Sequence, residues 1–235
     1  MNSAPILITG AAQRIGLFCA KALQEKGHKV AISYRRHRPL IDELQETGID
    51  CIQADFATTE GIVAFIRQIK QRYPKLRAII HNASDWHSDS DGDLTEVFDQ
   101  MMAVHAKAPL MINQALADRL SHIKADIIHM SDFVAQTGSA KHMAYAASKA
   151  ALENLTLSFA RKLAPRVKVN AIAPALISFN EGDDDQYRQK VLQKSLLGIE
   201  PGEQEVFKAV QWLLESDYMT GRILHLDGGR HLKLP

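Results

Sequence analysis

Cysteine is nearly absent: the 235-residue chain holds only Cys19 and Cys51. One possible pair builds no disulfide framework, and neither thiol stands in a metal-ligand spacing, so a reducing, cytoplasmic setting is expected. Charge of one sign is lacking too. A formal charge of +1 offers no electrostatic footprint for nucleic acid or an anionic membrane. No apolar run approaches the roughly 20 residues of a membrane span. The opening MNSAPILITG has neither the basic flank nor the apolar stretch of a secretory signal. Repeats, low-complexity segments and linkers are also missing. What is present, 46% hydrophobic residues, suffices for one α/β domain over residues 1–235.

Apolar runs of strand length alternate with helical periodicity from end to end. The runs APILITG, HKVAISY, 50–54, LRAIIH, ADIIHMS, VKVNAIA and GRILHLD read as seven strands. Helices are expected at 14–26, from Pro39, at 59–72, as one long element over 94–120, at 145–164 before Pro165, and over YRQKVLQKSLL. This alternation predicts a Rossmann-like three-layer sandwich, a seven-stranded parallel sheet with helices on both faces. Two polar, acidic stretches, DWHSDSDGD and SFNEGDDDQ, follow strand ends, where open α/β sheets bind ligands.

TGAAQRIG opens the first helix directly after the first strand. Gly10 and Gly16 permit a tight turn and close backbone approach to a pyrophosphate, and the helix N-terminus adds free N–H groups. The second strand ends in Tyr34, Arg35, Arg36 and His37. No acid is there to hold ribose hydroxyls, whereas Arg35 and Arg36 suit a 2′-phosphate, so NADPH is favoured. A solvated basic loop is the alternative reading.

Tyr145 and Lys149 stand one helical turn apart, and Asp132 precedes the tyrosine by thirteen residues. The ammonium is expected to lower the phenol from its usual value of about 10, and Asp132 to oppose that change. A phenol balanced in this way donates a proton. An ionised carboxylate cannot donate as a serine would, which turns the expectation from C=O toward C=N reduction. Trp86 suits one wall of a slot for a flat bicyclic substrate, or else packs under its own loop. His81, His87, His129 and His142 lack a metal-ligand spacing and read as packing or polar contacts.

Together these motifs resemble the short-chain dehydrogenase/reductase family over nearly the whole chain. TGAAQRIG resembles its cofactor loop, including Ile15. Asp55, followed by Phe56, resembles the acid beside the adenine, and Asn82-Ala83 the turn after the fourth strand. Tyr145 and Lys149 resemble the catalytic pair, Asn170 and Pro174 the Asn-x-x-x-Pro segment, and Asp227-Gly228-Gly229 the C-terminal turn. There are four departures. Arg14 replaces a loop glycine, and Asp132 the usual serine, with Ser131 just before it. His105 replaces a structural asparagine, either as a proton relay or as a packing residue, and Ala175 follows Pro174 in place of glycine. The first two substitutions, with Ser84 and Trp86, are similar to the pteridine reductase branch. There the arginine meets substrate and cofactor phosphate.

The resemblance implies NADPH-dependent reduction of 7,8-dihydromonapterin to its tetrahydro form, with weaker activity on dihydrofolate. It also implies a homotetramer, Lys149 on the nicotinamide ribose, and a dihydropterin held among Arg14, Ser84, Trp86, Asp132 and Tyr145. Asp132 would orient a proton path or bind the substrate's polar edge. The rival readings are a reductase of another small carbonyl or imine, and a non-catalytic NADPH sensor.

Overall fold

The computed structural model describes residues 4–120 and 124–233. Seven parallel strands run in the order β3-β2-β1-β4-β5-β6-β7. They are β1 (Ile6–Thr9), β2 (Val30–Tyr34), β3 (Asp50–Gln53), β4 (Ala78–His81), β5 (Ala125–Met130), β6 (Val167–Pro174) and β7 (Ile223–Leu226). Ile8 lies opposite Ile32 on one side and Ile80 on the other, so the strand order reverses between β1 and β4. Open α/β sheets bind dinucleotides at such a reversal.

Alternation along each strand feeds two apolar layers. Ile6 and Ile8 of β1 pack with α1 (Arg14–Glu25), α2 (Pro39–Glu46) and α9 (Glu203–Glu215) through Leu23, Leu44 and Val210. Leu7 points the other way, toward Phe65 of α3 (Thr59–Arg72), Ile112 of α5 (Ala108–Leu116) and Phe159 of α7 (Met143–Leu163). Among the described residues no helix is long and apolar enough to cross a membrane.

The expected single helix over 94–120 is corrected. The chain forms α4 (Leu94–Met102), a π turn (Ala103–Lys107), α5 and a 3₁₀ turn (Ala117–Leu120). Pro109 has no N–H for the His105 carbonyl, and its ring crowds that carbonyl. The turn just before it widens, as helices do at such interruptions. The segment 203–215, for which no helix was expected, forms α9. Its buried Val206, Phe207, Val210, Leu213 and Leu214 stand at the helical spacing that marks the element. The remaining helices are the short α6 (Val134–Thr137) and α8 (Asp185–Leu192).

Two of the sheet's histidines join a buried polar chain. His81 Nε2 meets Asn113 Oδ1 at 2.7 Å, Asn113 Nδ2 meets His129 Nε2 at 3.0 Å, and His129 Nδ1 meets Thr156 Oγ1 at 2.8 Å. Burial lowers His81 to about 4 and holds His129 well below its usual range. Both rings are therefore neutral at physiological pH and act as polar ties between β4, β5, α5 and α7.

Candidate active site

The site lies at the C-terminal ends of β1, β4, β5 and β6. Thr9 closes β1, and its buried hydroxyl accepts from the backbone N–H groups of Asn82 and Ala83. Asn82 Nδ2 donates to the carbonyls of Thr9 and Gly10 at 3.2 and 2.8 Å. The first and fourth strand ends are thereby locked together. Gly10 has φ +63°, and a Cβ there would lie 2.5 Å from Ala83 Cα, so only glycine fits.

The α1 N-terminus bears on what this turn can hold. Gln13, its N-cap, makes no side-chain capping bond, and the first turn contains no acid. By contrast, Thr58 caps α3 and Asp93 caps α4. The first N–H groups of α1 therefore remain free for an anion. The adjoining groove is lined by Gly10, Ala12, Arg35, Arg36, Asp55 and Phe56. Gln13 and Arg38 line it as well, two residues that the sequence reading missed although Arg38 belongs to the same basic run. Free helix amides at one end and three arginines near the other fit a pyrophosphate joined to a phosphorylated ribose, as in NADPH. Asp55 itself accepts from Ala57 N–H at 3.0 Å. Phe56 is buried edge-on against Phe65, Ile15 packs on the first apolar layer, and Gly16 abuts Asn82.

Not every arginine is free for phosphate. Arg35 Nη1 donates to Asp85 Oδ2 at 2.7 Å, and Gln100 Nε2 donates to the same oxygen at 2.8 Å. Burial opposes the Asp85 charge, but Arg35 and Gln100 outweigh it and hold the carboxyl below its usual range. Arg36 is exposed. Arg14 sits at φ +49°, a conformation that costs a non-glycine residue about 1–2 kcal/mol. Its guanidinium crosses to the segment after β6 and donates to Asn180 Oδ1 at 3.1 Å and to the Ser178 carbonyl at 2.9 Å. The side chain therefore ties the first turn to the second acidic stretch.

Tyr145, Lys149 and Asp132 converge. The Tyr145 hydroxyl donates to Asp132 Oδ2 at 3.0 Å, and Asp132 Oδ1 accepts from Val134 N–H at 2.9 Å. Ser131 is turned away, donating to Glu153 Oε1 at 2.8 Å, so the carboxylate just past the end of β5 is the phenol's partner. Lys149 Nζ donates to the Met130 carbonyl at 2.9 Å and stands 5.5 Å from the Tyr145 ring centre.

The expected lowering of the phenol is corrected. Burial first, then the charge and hydrogen bond of Asp132, raise Tyr145 well above its usual value. Lys149 is itself lowered to about 8 by burial, although Asp132 supports its charge. The phenol is therefore protonated throughout the neutral range.

Ser84 borders Tyr145, but Trp86 stands apart from the trio. Its ring is 60% exposed and lies 4.2 Å from the ring of His142, tilted by 37°. Pro174 ends β6, where its carbonyl accepts from Phe133 N–H at 2.9 Å. Asn170 joins β6 to the turn before β7, donating to the Met219 carbonyl and accepting from Arg222 N–H.

Known proteins resemble this chain over nearly its whole length. The family model described as enoyl-(acyl carrier protein) reductase matches residues 10–231. A dihydromonapterin reductase of Klebsiella pneumoniae is 53% identical over 233 residues, 97% of each chain. One from Escherichia coli is 53% identical over 236 residues, 99% of this chain and 98% of the relative. Among solved structures, FolM alternative dihydrofolate reductase 1 from Brucella canis, complexed with NADP, has a TM-score of 0.87 at 28% identity. The match covers 99% of this chain and 96% of that one. An apo SCOR enzyme from Clostridium thermocellum has a TM-score of 0.88 at 24% identity, over 100% and 95% of the two chains, and shares the fold.

Proposed function

Since the chain belongs to the short-chain dehydrogenase/reductase family, we infer that it reduces 7,8-dihydromonapterin to 5,6,7,8-tetrahydromonapterin with NADPH. The observation that carries the chemistry is the Tyr145 phenol donating to Asp132 at 3.0 Å. Reduction of a C=N bond needs a hydride at carbon and a proton at nitrogen. NADPH, when bound, supplies the hydride. Tyr145 holds the proton for the nitrogen. A bare phenolate beside Asp132 would set two like charges in a poorly solvated place. Tyr145 therefore releases its proton as a replacement arrives, and half-buried Asp132 is the group through which solvent delivers it. A ketone would develop an alkoxide facing the same carboxylate, and that repulsion disfavours carbonyl substrates.

Around this pair, the α1 amides with Gly10, Arg14, Ile15 and Gly16 hold the cofactor phosphates, and Arg36 with Arg35 holds the 2′-phosphate. Asp55, Phe56, Asn82, Ala83 and Pro174 line the bound dinucleotide, and Lys149 meets its nicotinamide ribose. Ser84 and Trp86 face the pterin, while Arg14 reaches both ligands from the loop it tethers. Dihydrofolate is a weaker second substrate, and the cytoplasm is the site of action. A homotetramer fits the exposed Phe98 and Leu110 beside an open groove of about 1100 Å³ between α4, α5 and α7, lined by Ala106, Ala151 and Leu155. A sedimentation mass of a single chain at micromolar concentration would exclude it.

NADPH oxidation measured with dihydromonapterin, dihydrofolate and a panel of small ketones tests the substrate class. The expected order of kcat/KM is dihydromonapterin, then dihydrofolate, with ketones far behind. A clear preference for ketones would defeat the pterin reading. NADPH binding with no turnover of any substrate would point to a sensor.

A further inference from the structure

His105 sits at the middle of the π turn and is only 1% exposed, yet the chemistry above makes no use of it. Its Nε2 lies 2.8 Å from Ser84 Oγ and 3.2 Å from the Asp85 backbone nitrogen, and its Nδ1 lies 2.8 Å from Ser148 Oγ. The ring stands at 90° to that of Tyr145, with centroids 5.3 Å apart.

Donors with fixed hydrogens settle where its proton resides. The Asp85 N–H points at Nε2, so Nε2 accepts. Burial and then the charge of Lys149 keep the imidazole neutral, so its one proton is on Nδ1 and goes to Ser148 Oγ. Ser148 passes the order on, donating to the Tyr145 carbonyl at 2.7 Å. Ser84 can meet Nε2 only as a donor. With its proton committed there at 2.8 Å, its remaining lone pairs are turned from the ring, toward the cleft.

We propose that His105 is a positioning residue, which fixes Ser84 as an acceptor for an N–H of the dihydropterin and braces the Tyr145 turn through Ser148. It rests on the pterin reading above, in which Ser84 faces the substrate. The π turn gives this role its geometry, because the widened backbone presents one ring to the β4 loop and to α7 together. A protonated imidazole would lose the acceptor, and a purely apolar ring would take away the partner of Asp85 N–H and leave Ser148 with the Tyr145 carbonyl alone.

Two amide replacements separate the ends of the ring. In His105→Gln the amide oxygen reaches the Nε2 position and still accepts from Ser84 and Asp85. In His105→Asn the amide stops at the Nδ1 position and serves Ser148 alone. His105→Asn should raise KM for dihydromonapterin about tenfold, the effect of one lost hydrogen bond in a loosened loop, with NADPH affinity held within about twofold. His105→Gln should recover most of that loss. Equal KM values in the two variants, or a parallel loss of NADPH affinity, would reduce His105 to a structural residue and overturn the proposal. The wild-type rate tests the pterin reading separately. Should the wild type prefer another imine, the Asn-to-Gln ratio measured on that imine decides the role of His105.

Discussion

Tyr145→Phe should lower kcat for dihydromonapterin reduction by about a hundred- to ten-thousandfold, the range spanned by single proton-transfer groups, while NADPH binding persists. The substitution removes one oxygen from a side chain that is 8% exposed and keeps the ring that packs against His105 and lies beneath Lys149. Shape is therefore preserved and the proton is not. Asp132 Oδ2 loses its donor and turns toward water, so the imine nitrogen is left beside a carboxylate with no acid between them. Steady-state rates paired with NADPH titration make the measurement. A phenylalanine variant that retains a third or more of the wild-type kcat would show that water protonates the nitrogen directly, and the assignment of Tyr145 would fall. Simultaneous loss of NADPH binding would show that the tyrosine serves the cofactor rather than the proton.

The second large effect lies in the cofactor turn. Gly16→Ala should weaken NADPH binding about a hundredfold. A Cβ at this position would stand 2.4 Å from Asn82 Nδ2 and 2.8 Å from Ala11 Cα, closer than real contacts allow. Asn82 cannot swing away freely, because its amide holds the carbonyls of both Thr9 and Gly10. Moving it breaks these two bonds, worth about 1 kcal/mol each, and pushes the phosphate-binding turn off the end of β4. Overpacking adds roughly another 1–3 kcal/mol, and about 1.4 kcal/mol corresponds to each tenfold in affinity. Calorimetric titration of NADPH checks the number, with circular dichroism as the control for folding. An alanine variant that binds NADPH as tightly as the wild type would mean that the interlock between the first and fourth strand ends is not what shapes the phosphate site.

The parts of the molecule written in local pattern were legible in the sequence. Strand and helix alternation gives the parallel sheet, and TGAAQRIG, read with its preceding apolar run, marks the turn at the sheet's reversal point. The Tyr145–Lys149 spacing placed both groups on one face of a helix, and the thirteen-residue separation from Asp132 closed to 3.0 Å in space. What was not legible depends on distance along the chain or on burial. The pKa of Tyr145 was expected to fall because Lys149 is near in sequence. It rises because the phenol is enclosed and the Asp132 carboxylate stands against its ionisation. Arg35 was read toward a phosphate, and that fifty positions later Asp85 gives it a carboxylate as well could not be seen. Pro109 did announce the break in the long helix, since a proline far inside a helical pattern removes a bond and crowds a carbonyl. The apolar periodicity on either side masked it. The contacts of His105 join three elements, and no reading of one stretch could have assembled them.

One consequence follows from the bare start of α1. A helix whose leading amides meet no capping side chain leaves them open to a partner from outside the polypeptide. Under the proposed function, occupancy and architecture belong to one equilibrium: a dinucleotide seated there would cap the helix as Thr58 caps α3 and Asp93 caps α4, and a cell rich in that guest would hold the enzyme in its folded form by mass action.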